Sequence, residues 1–354
     1  MKTRAAIKVE HGKPLAIDEI ELPDPAADEV VVKLFASGIC HSQLHQIHNP
    51  DTALPALLGH EATGVVLRAG RDVSHVREGD RVMVTWVPRD ITPELLTVRP
   101  SPYRYRGVDY QSRSYTWAEH VLTNEQLVLP LPDDVPTDVT AIIGCATVTG
   151  VGAVLGTAKV QRGQSVAVFG VGGVGINVLA GAKIAGADPI IAIDLLPEKL
   201  EFAKEFGATH TVNASEVDAV EAVRELSGGG VDFAFDAIGA EVTMRQILEV
   251  ARPGVLGAHR GGTAVVVGIP QGPITFPRGA FPMGEKSYIG SLGGSSHPVE
   301  DFPRYIEWFK QGALPLDKMV TKTYRSLEDI NEGVRALERG DIFGRAIMVY
   351  AQPD

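Results

Sequence analysis

A chain of 354 residues exceeds what one ordinary hydrophobic core organises, and its even composition points to two domains. With 44% apolar and 22% charged residues it has the balance of a folded globular protein, not of a disordered or fibrous one. The net charge of -11 argues against nucleic acid and anionic membrane as partners, since both require clustered Lys and Arg.

Residues 1–10 carry Lys2 and Arg4 with no long apolar stretch behind them, and no run of about eighteen apolar residues occurs anywhere. A cytoplasmic protein is expected. Cys40 and Cys145 are the only cysteines, so at most one bridge could form and the readings are free thiols or metal ligands. From residue 1 to about 131, short apolar runs at 30–35, 64–67 and 82–85 alternate with turn residues such as Glu78-Gly79-Asp80. This predicts a mostly β domain. Regularity lapses between Asp90 and Tyr115, where Pro93, Pro100 and Pro102 sit among Arg99, Arg104, Arg106 and Arg113, interleaved with Tyr103, Tyr105 and Tyr110. A surface lobe or long loop is expected, with a basic and aromatic nucleic-acid patch as the functional alternative.

After Thr140 the period changes to strands alternating with helical segments, the rhythm of a parallel sheet with crossover helices. Strands are predicted at 165–169, 189–194, 209–212, 231–236 and 263–267, with helices beginning near Gly173, Pro197, Ser215 and Ala240. Pro197 suits a first helical turn and Gly207 a C-terminal cap. The tail predicts a helix around 305–310, another opened by Ser326 with Asp329 three residues on, and a closing strand at 346–350 that rejoins the first domain.

Gly170-Val171-Gly172-Gly173-Val174-Gly175 directly follows one apolar strand and opens a helix. Gly170 permits the tight turn, Gly172 close approach of a pyrophosphate, and Gly175 packing of helix on strand; the helix N-terminus faces the phosphate charge. The next strand ends in Asp194, where a carboxylate can accept both adenosine ribose hydroxyls and repel a 2′-phosphate. NAD is therefore expected over NADP, and a structural turn that binds nothing is the bland alternative.

Cys40, His60 with Glu61, and Cys145 each lie in a distinctive setting: Gly38-Ile39-Cys40-His41-Ser42, Gly59-His60-Glu61 and Gly144-Cys145. Singly, a buried cysteine is a small hydrophobe and a lone histidine a hydrogen-bonded core group. Together they supply two thiolates and one imidazole, a ligand set for a catalytic zinc with its fourth position open.

With Gly-Asp-Arg-Val at 79–82 and the glycine loop, these motifs resemble, over essentially the full length, the zinc-dependent medium-chain alcohol dehydrogenases. The resemblance implies a mostly β GroES-like catalytic domain at 1–146 and 290–354, with an NAD-binding Rossmann domain of doubly wound parallel sheet at 147–289. It implies zinc held by Cys40, His60 and Cys145, with Glu61 behind it as an occasional ligand. It gives Ser42 the contact with the substrate alcohol and His45 the far end of the proton relay. Thr149 would pack against the nicotinamide, Lys199 near the adenosine ribose, and His41 and Arg345 near the pyrophosphate. Trp86 resembles a pocket-lining position, with Trp117 expected near it. A dimer or tetramer acting on a small alcohol or aldehyde is implied, with one zinc per chain: the usual second, structural zinc needs four clustered cysteines, and none lies between Cys40 and Cys145. Gln43 departs from the family too, which usually has Asp there to orient the zinc histidine. Two other functions stay open, a reductase of conjugated carbon-carbon bonds on this scaffold and a non-catalytic nucleotide-binding redox sensor.

Overall fold

The computed structural model describes residues 1–90 and 98–350. The chain separates into two compact units, one of Met1–Cys145 and the segment from His297 onward, the other of Ala146–Ser296.

Two sheets build the first unit. One is antiparallel and five-stranded, in the order Ala56–Leu57, Lys2–Lys8, Ala16–Glu21, Ser101–Tyr105, Val108–Ser112. The other runs Val128–Pro130, Arg81–Val84, Ala62–Ala69, Glu29–Ile39, Arg345–Val349, Val320–Tyr324, with His120–Asn124 also paired to Glu29–Ile39. Glu29–Ile39 is central because its Val30, Val31, Val32 and Leu34 are buried together, which suits a β-branched run covered on both faces. The tail closes this sheet, Ile347 lying opposite Gly38 in an antiparallel pairing.

The segment expected as a lobe or loop is, over its described part, a hairpin; Pro93 lies outside the described residues. Arg106 and Gly107 make its turn, both in the left-handed region at φ 51 and 79, which matches the twist of the flanking strands. Tyr103 faces Tyr110 across it with ring centroids 5.6 Å apart. Arg104 grips Asp109 at 2.7 and 3.1 Å, Arg106 reaches Asp18 at 3.1 Å, and Arg99 reaches Asp28 at 2.5 Å. Stacked rings and paired charges hold this hairpin, and three of the arginines that suggested a phosphate-binding patch already face carboxylates.

The second unit is a six-stranded parallel sheet in the order His210–Asn213, Ile190–Asp194, Val166–Phe169, Phe233–Asp236, Thr263–Val266, Ser287–Gly290. Five of these are the predicted strands, and the sixth is the short edge strand Ser287–Gly290. Strand order reverses between Val166–Phe169 and Phe233–Asp236, which opens a crevice at their carboxyl ends. Helix Gly173–Ala185 follows the glycine loop and Pro197–Lys204 starts at its proline. The helix expected from Ser215 is Ala219–Leu226 instead. Ser215 donates its N–H to Asn213 in a turn, and the Asp218 carboxylate accepts the Glu221 N–H at 2.9 Å and caps the helix there. Among the described residues no helix is long and apolar enough to cross a membrane.

Candidate active site

In the first unit three stretches distant in sequence meet. Strand Glu29–Ile39 ends in Cys40, which opens helix His41–His48; a tight turn at Gly59 presents His60 just before strand Ala62–Ala69; and Cys145 follows the helical turn Val139–Gly144. The two sulfurs lie 3.9 Å apart, His60 Nε2 is 3.1 Å from Cys145 Sγ, and all three donor atoms fall within 4.8 Å of one another. Tetrahedral zinc with sulfurs at about 2.3 Å would hold them about 3.8 Å apart. The donor set and its spacing therefore fit that metal.

Charge supports the fit. Hydrogen bonding from Cys145, with the charges of Arg345 and His60, holds the Cys40 thiol well below its usual range although burial opposes it. The same contact, reinforced by burial, pushes Cys145 up. Behind the sulfurs, Arg345 donates through Nε to Glu61 Oε1 at 2.9 Å, with Nη2 on the same oxygen. Burial pushes the Glu61 carboxyl up and Arg345 opposes it, while the Cys40 charge adds to the rise.

Helix His41–His48 carries the neighbouring polar groups. Ser42 Oγ donates to Cys40 Sγ at 3.1 Å, and Gln43 meets His60 Nδ1 at 2.6 Å. His45 follows Ser42 one turn on, its ring 5.8 Å from that of His41. Buried Lys8 anchors the helix C-terminus by donating to Gln46 O at 2.9 Å and Asn49 O at 3.0 Å, where a cation complements the helix dipole. Sequence reading missed this role; a lysine among the alternating apolar residues of Lys2–Lys8 was the available signal.

The second unit holds the glycine loop. Gly170 has φ +85; a side chain at Gly175 would stand 1.9 Å from Gly170 O, whereas nothing lies within 4 Å of one at Gly172. Tight packing at Gly175 and open space at Gly172 are what a dinucleotide loop requires, and Gly173 and Val174 begin the helix. Asp194 Oδ2 accepts the Val171 N–H at 2.9 Å, which fixes the carboxylate beside the loop. Thr149 is 8% exposed and its hydroxyl finds no partner among the described residues.

Two family descriptions match this chain, an alcohol dehydrogenase GroES-like domain over residues 26–133 and a zinc-binding dehydrogenase over residues 173–311. The alcohol dehydrogenase class-3 of Cereibacter sphaeroides is 35% identical over 99% of this chain and 100% of its own length. This chain belongs to the zinc-dependent medium-chain alcohol dehydrogenases. An S-(hydroxymethyl)glutathione dehydrogenase of Paracoccus denitrificans is 32% identical over 99% of this chain and 100% of its own. The benzyl alcohol dehydrogenase of Acinetobacter calcoaceticus superposes with a TM-score of 0.89 at 28% identity, covering 99% of this chain and 100% of that one. As a member of this family the chain is an oxidoreductase, and the family implies zinc and NAD.

One family-derived expectation needs correction. Trp117 is 1% exposed inside the core of the first unit and donates its indole N–H to Gly38 O at 3.1 Å, so it lines a core and not a pocket. Arg345, which the resemblance sets near the pyrophosphate, is buried and paired with Glu61, because a buried carboxylate requires a cation. Trp86 is half-buried, and its indole N–H has no partner among the described residues. Lys199 is half-buried in the first turn of Pro197–Lys204, and His41 is exposed at the start of its helix.

Proposed function

We propose that this alcohol dehydrogenase interconverts a primary or secondary alcohol and its aldehyde or ketone with NAD, using one zinc per chain held by Cys40, His60 and Cys145. The observation that carries this reading is the convergence of two thiols and an imidazole within 4.8 Å. Held by these three residues, zinc would supply Lewis acidity that lowers the pKa of an alcohol hydroxyl. Ser42 Oγ, already donating to Cys40 Sγ, keeps its lone pairs to accept the substrate hydroxyl proton, and the His45 imidazole, one turn along the helix, hands a proton to solvent. Glu61 and Arg345 form a buried, mutually neutralising pair behind the ligands.

In the second unit, Gly170, Gly172, Gly173, Val174 and Gly175 cradle the pyrophosphate, and Asp194 accepts the ribose hydroxyls and repels a 2′-phosphate. Thr149 faces the nicotinamide, supported by its unpartnered hydroxyl. Lys199 and His41 serve the ribose and phosphate, and Trp86 borders the substrate. No second, four-cysteine zinc site belongs to this reading, since the sequence holds two cysteines. Adjacent reduced thiols suit the cytoplasm. The functional assembly is a homodimer or homotetramer.

Replacing Cys145 with Ser tests the reading. The Cys145→Ser variant is expected to lose NADH formation from a panel that includes benzyl alcohol and S-(hydroxymethyl)glutathione, while still binding NADH by fluorescence. Retained turnover would contradict the assignment.

A further inference from the structure

Resting on the metal-site reading above, we propose that Gln43 is a positioning residue that weakens zinc binding at Cys40, His60 and Cys145, because its one acceptor atom faces two converging N–H donors. Gln43 is 3% exposed, and both ends of its amide are engaged. Its Oε1 accepts the Gly59 N–H at 2.6 Å, and its Nε2 stands 2.6 Å from His60 Nδ1. On the far side of the ring, His60 Nε2 points at Cys145 Sγ. These contacts form one directional chain, in which the amide donates to Nδ1, so Nε2 carries the ring proton toward sulfur.

An imidazole that ligates through Nε2 carries its proton on Nδ1 instead. Two donors, Gly59 N–H and His60 Nδ1–H, then aim at the two ends of a side chain with a single acceptor oxygen. Either rotamer of the amide leaves one donor facing an NH2 group. Hydrogen bonds and packing oppose a backbone movement that would relieve this. The Leu58–Gly59 peptide is clamped from its other edge, where Leu58 O accepts the Thr116 N–H at 3.1 Å and the Trp117 N–H at 3.0 Å. Gly59 itself has φ +93, and a Cβ there would meet Trp117 N at 2.7 Å, so the turn packs closely against the Thr116–Trp117 backbone. A metal-bound imidazole N–H is the more acidic donor and takes the oxygen; the Gly59 N–H is left unpaired in a buried site. A carboxylate of the same length would serve both donors at once.

The test compares the full-length wild type with Gln43→Glu by zinc titration against a chromophoric chelator at fixed pH. The glutamate variant is expected to bind zinc about 10–100-fold more tightly, the range for groups that orient metal histidines. Equal or weaker affinity in a folded Gln43→Glu protein overturns the proposal. A second readout needs no variant: adding zinc to the wild type should lower hydrogen-exchange protection at the Gly59 amide, and unchanged or increased protection there overturns the proposal as well. Failure of the underlying site reading looks different, since Cys145→Ser would then bind zinc as the wild type does.

Discussion

Arg345 shows what a single residue's partner decides. It stands 284 residues from Glu61 along the chain, and no local pattern links the two; the family resemblance gave it only a place near the pyrophosphate. The fold closes strand Arg345–Val349 against Glu29–Ile39 and sets the guanidinium beside the buried carboxylate. Replacing Arg345 with Met strands Glu61 in a site where it is fully buried, and should cost about 3–5 kcal/mol in urea unfolding. The double variant Glu61→Gln/Arg345→Met should recover part of that loss. A single variant as stable as the wild type would show that the pair has no structural part. The three candidate zinc ligands, by contrast, were legible only as a set backed by the family resemblance, since singly each reads as a core group; the coordinates add that their donor atoms lie within 4.8 Å of one another.

At the scale of elements, strands with a strong apolar run were legible to within a residue or two, as at Val166–Phe169 and Ile190–Asp194. The hairpin Ser101–Tyr105/Val108–Ser112 was not, because prolines break its pattern and its Arg-Gly turn lacks the usual Asn-Gly signature. Edge strand Ser287–Gly290 was missed because its sequence Ser-Tyr-Ile-Gly lacks an apolar run and lies half-buried to exposed. Elements also set the response to acid. His75 donates Nε2–H to Val128 O at 2.9 Å, the first residue of strand Val128–Pro130, and burial lowers its pKa from 6.5, as it does for His120 at the start of His120–Asn124. Both rings resist a proton that the unfolded chain accepts. Below about pH 6.5 the unfolded state therefore binds more protons, and the contribution of the neutral rings, complete above that pH, is lost as pH falls. Urea midpoints should drop between about pH 7.5 and about pH 5.5, and drop less in a His75→Gln variant. A midpoint that rises on acidification would contradict this.

For the whole molecule, fold class was legible because the hydrophobic period itself switches, from short alternating runs to strands spaced by crossover helices. The mostly β unit supplies thiols, imidazole, Ser42 and His45; the doubly wound unit supplies the glycine loop and Asp194. In the proposed reading each unit carries one binding site, and the chemistry needs both. The proposed catalysis depends on the first unit's three donors gripping a metal. Elemental analysis of purified wild type beside Cys145→Ser tests that claim most directly. One zinc per chain in the wild type and none in the variant is the predicted result; no zinc in the wild type, or an equal count in both, would contradict it.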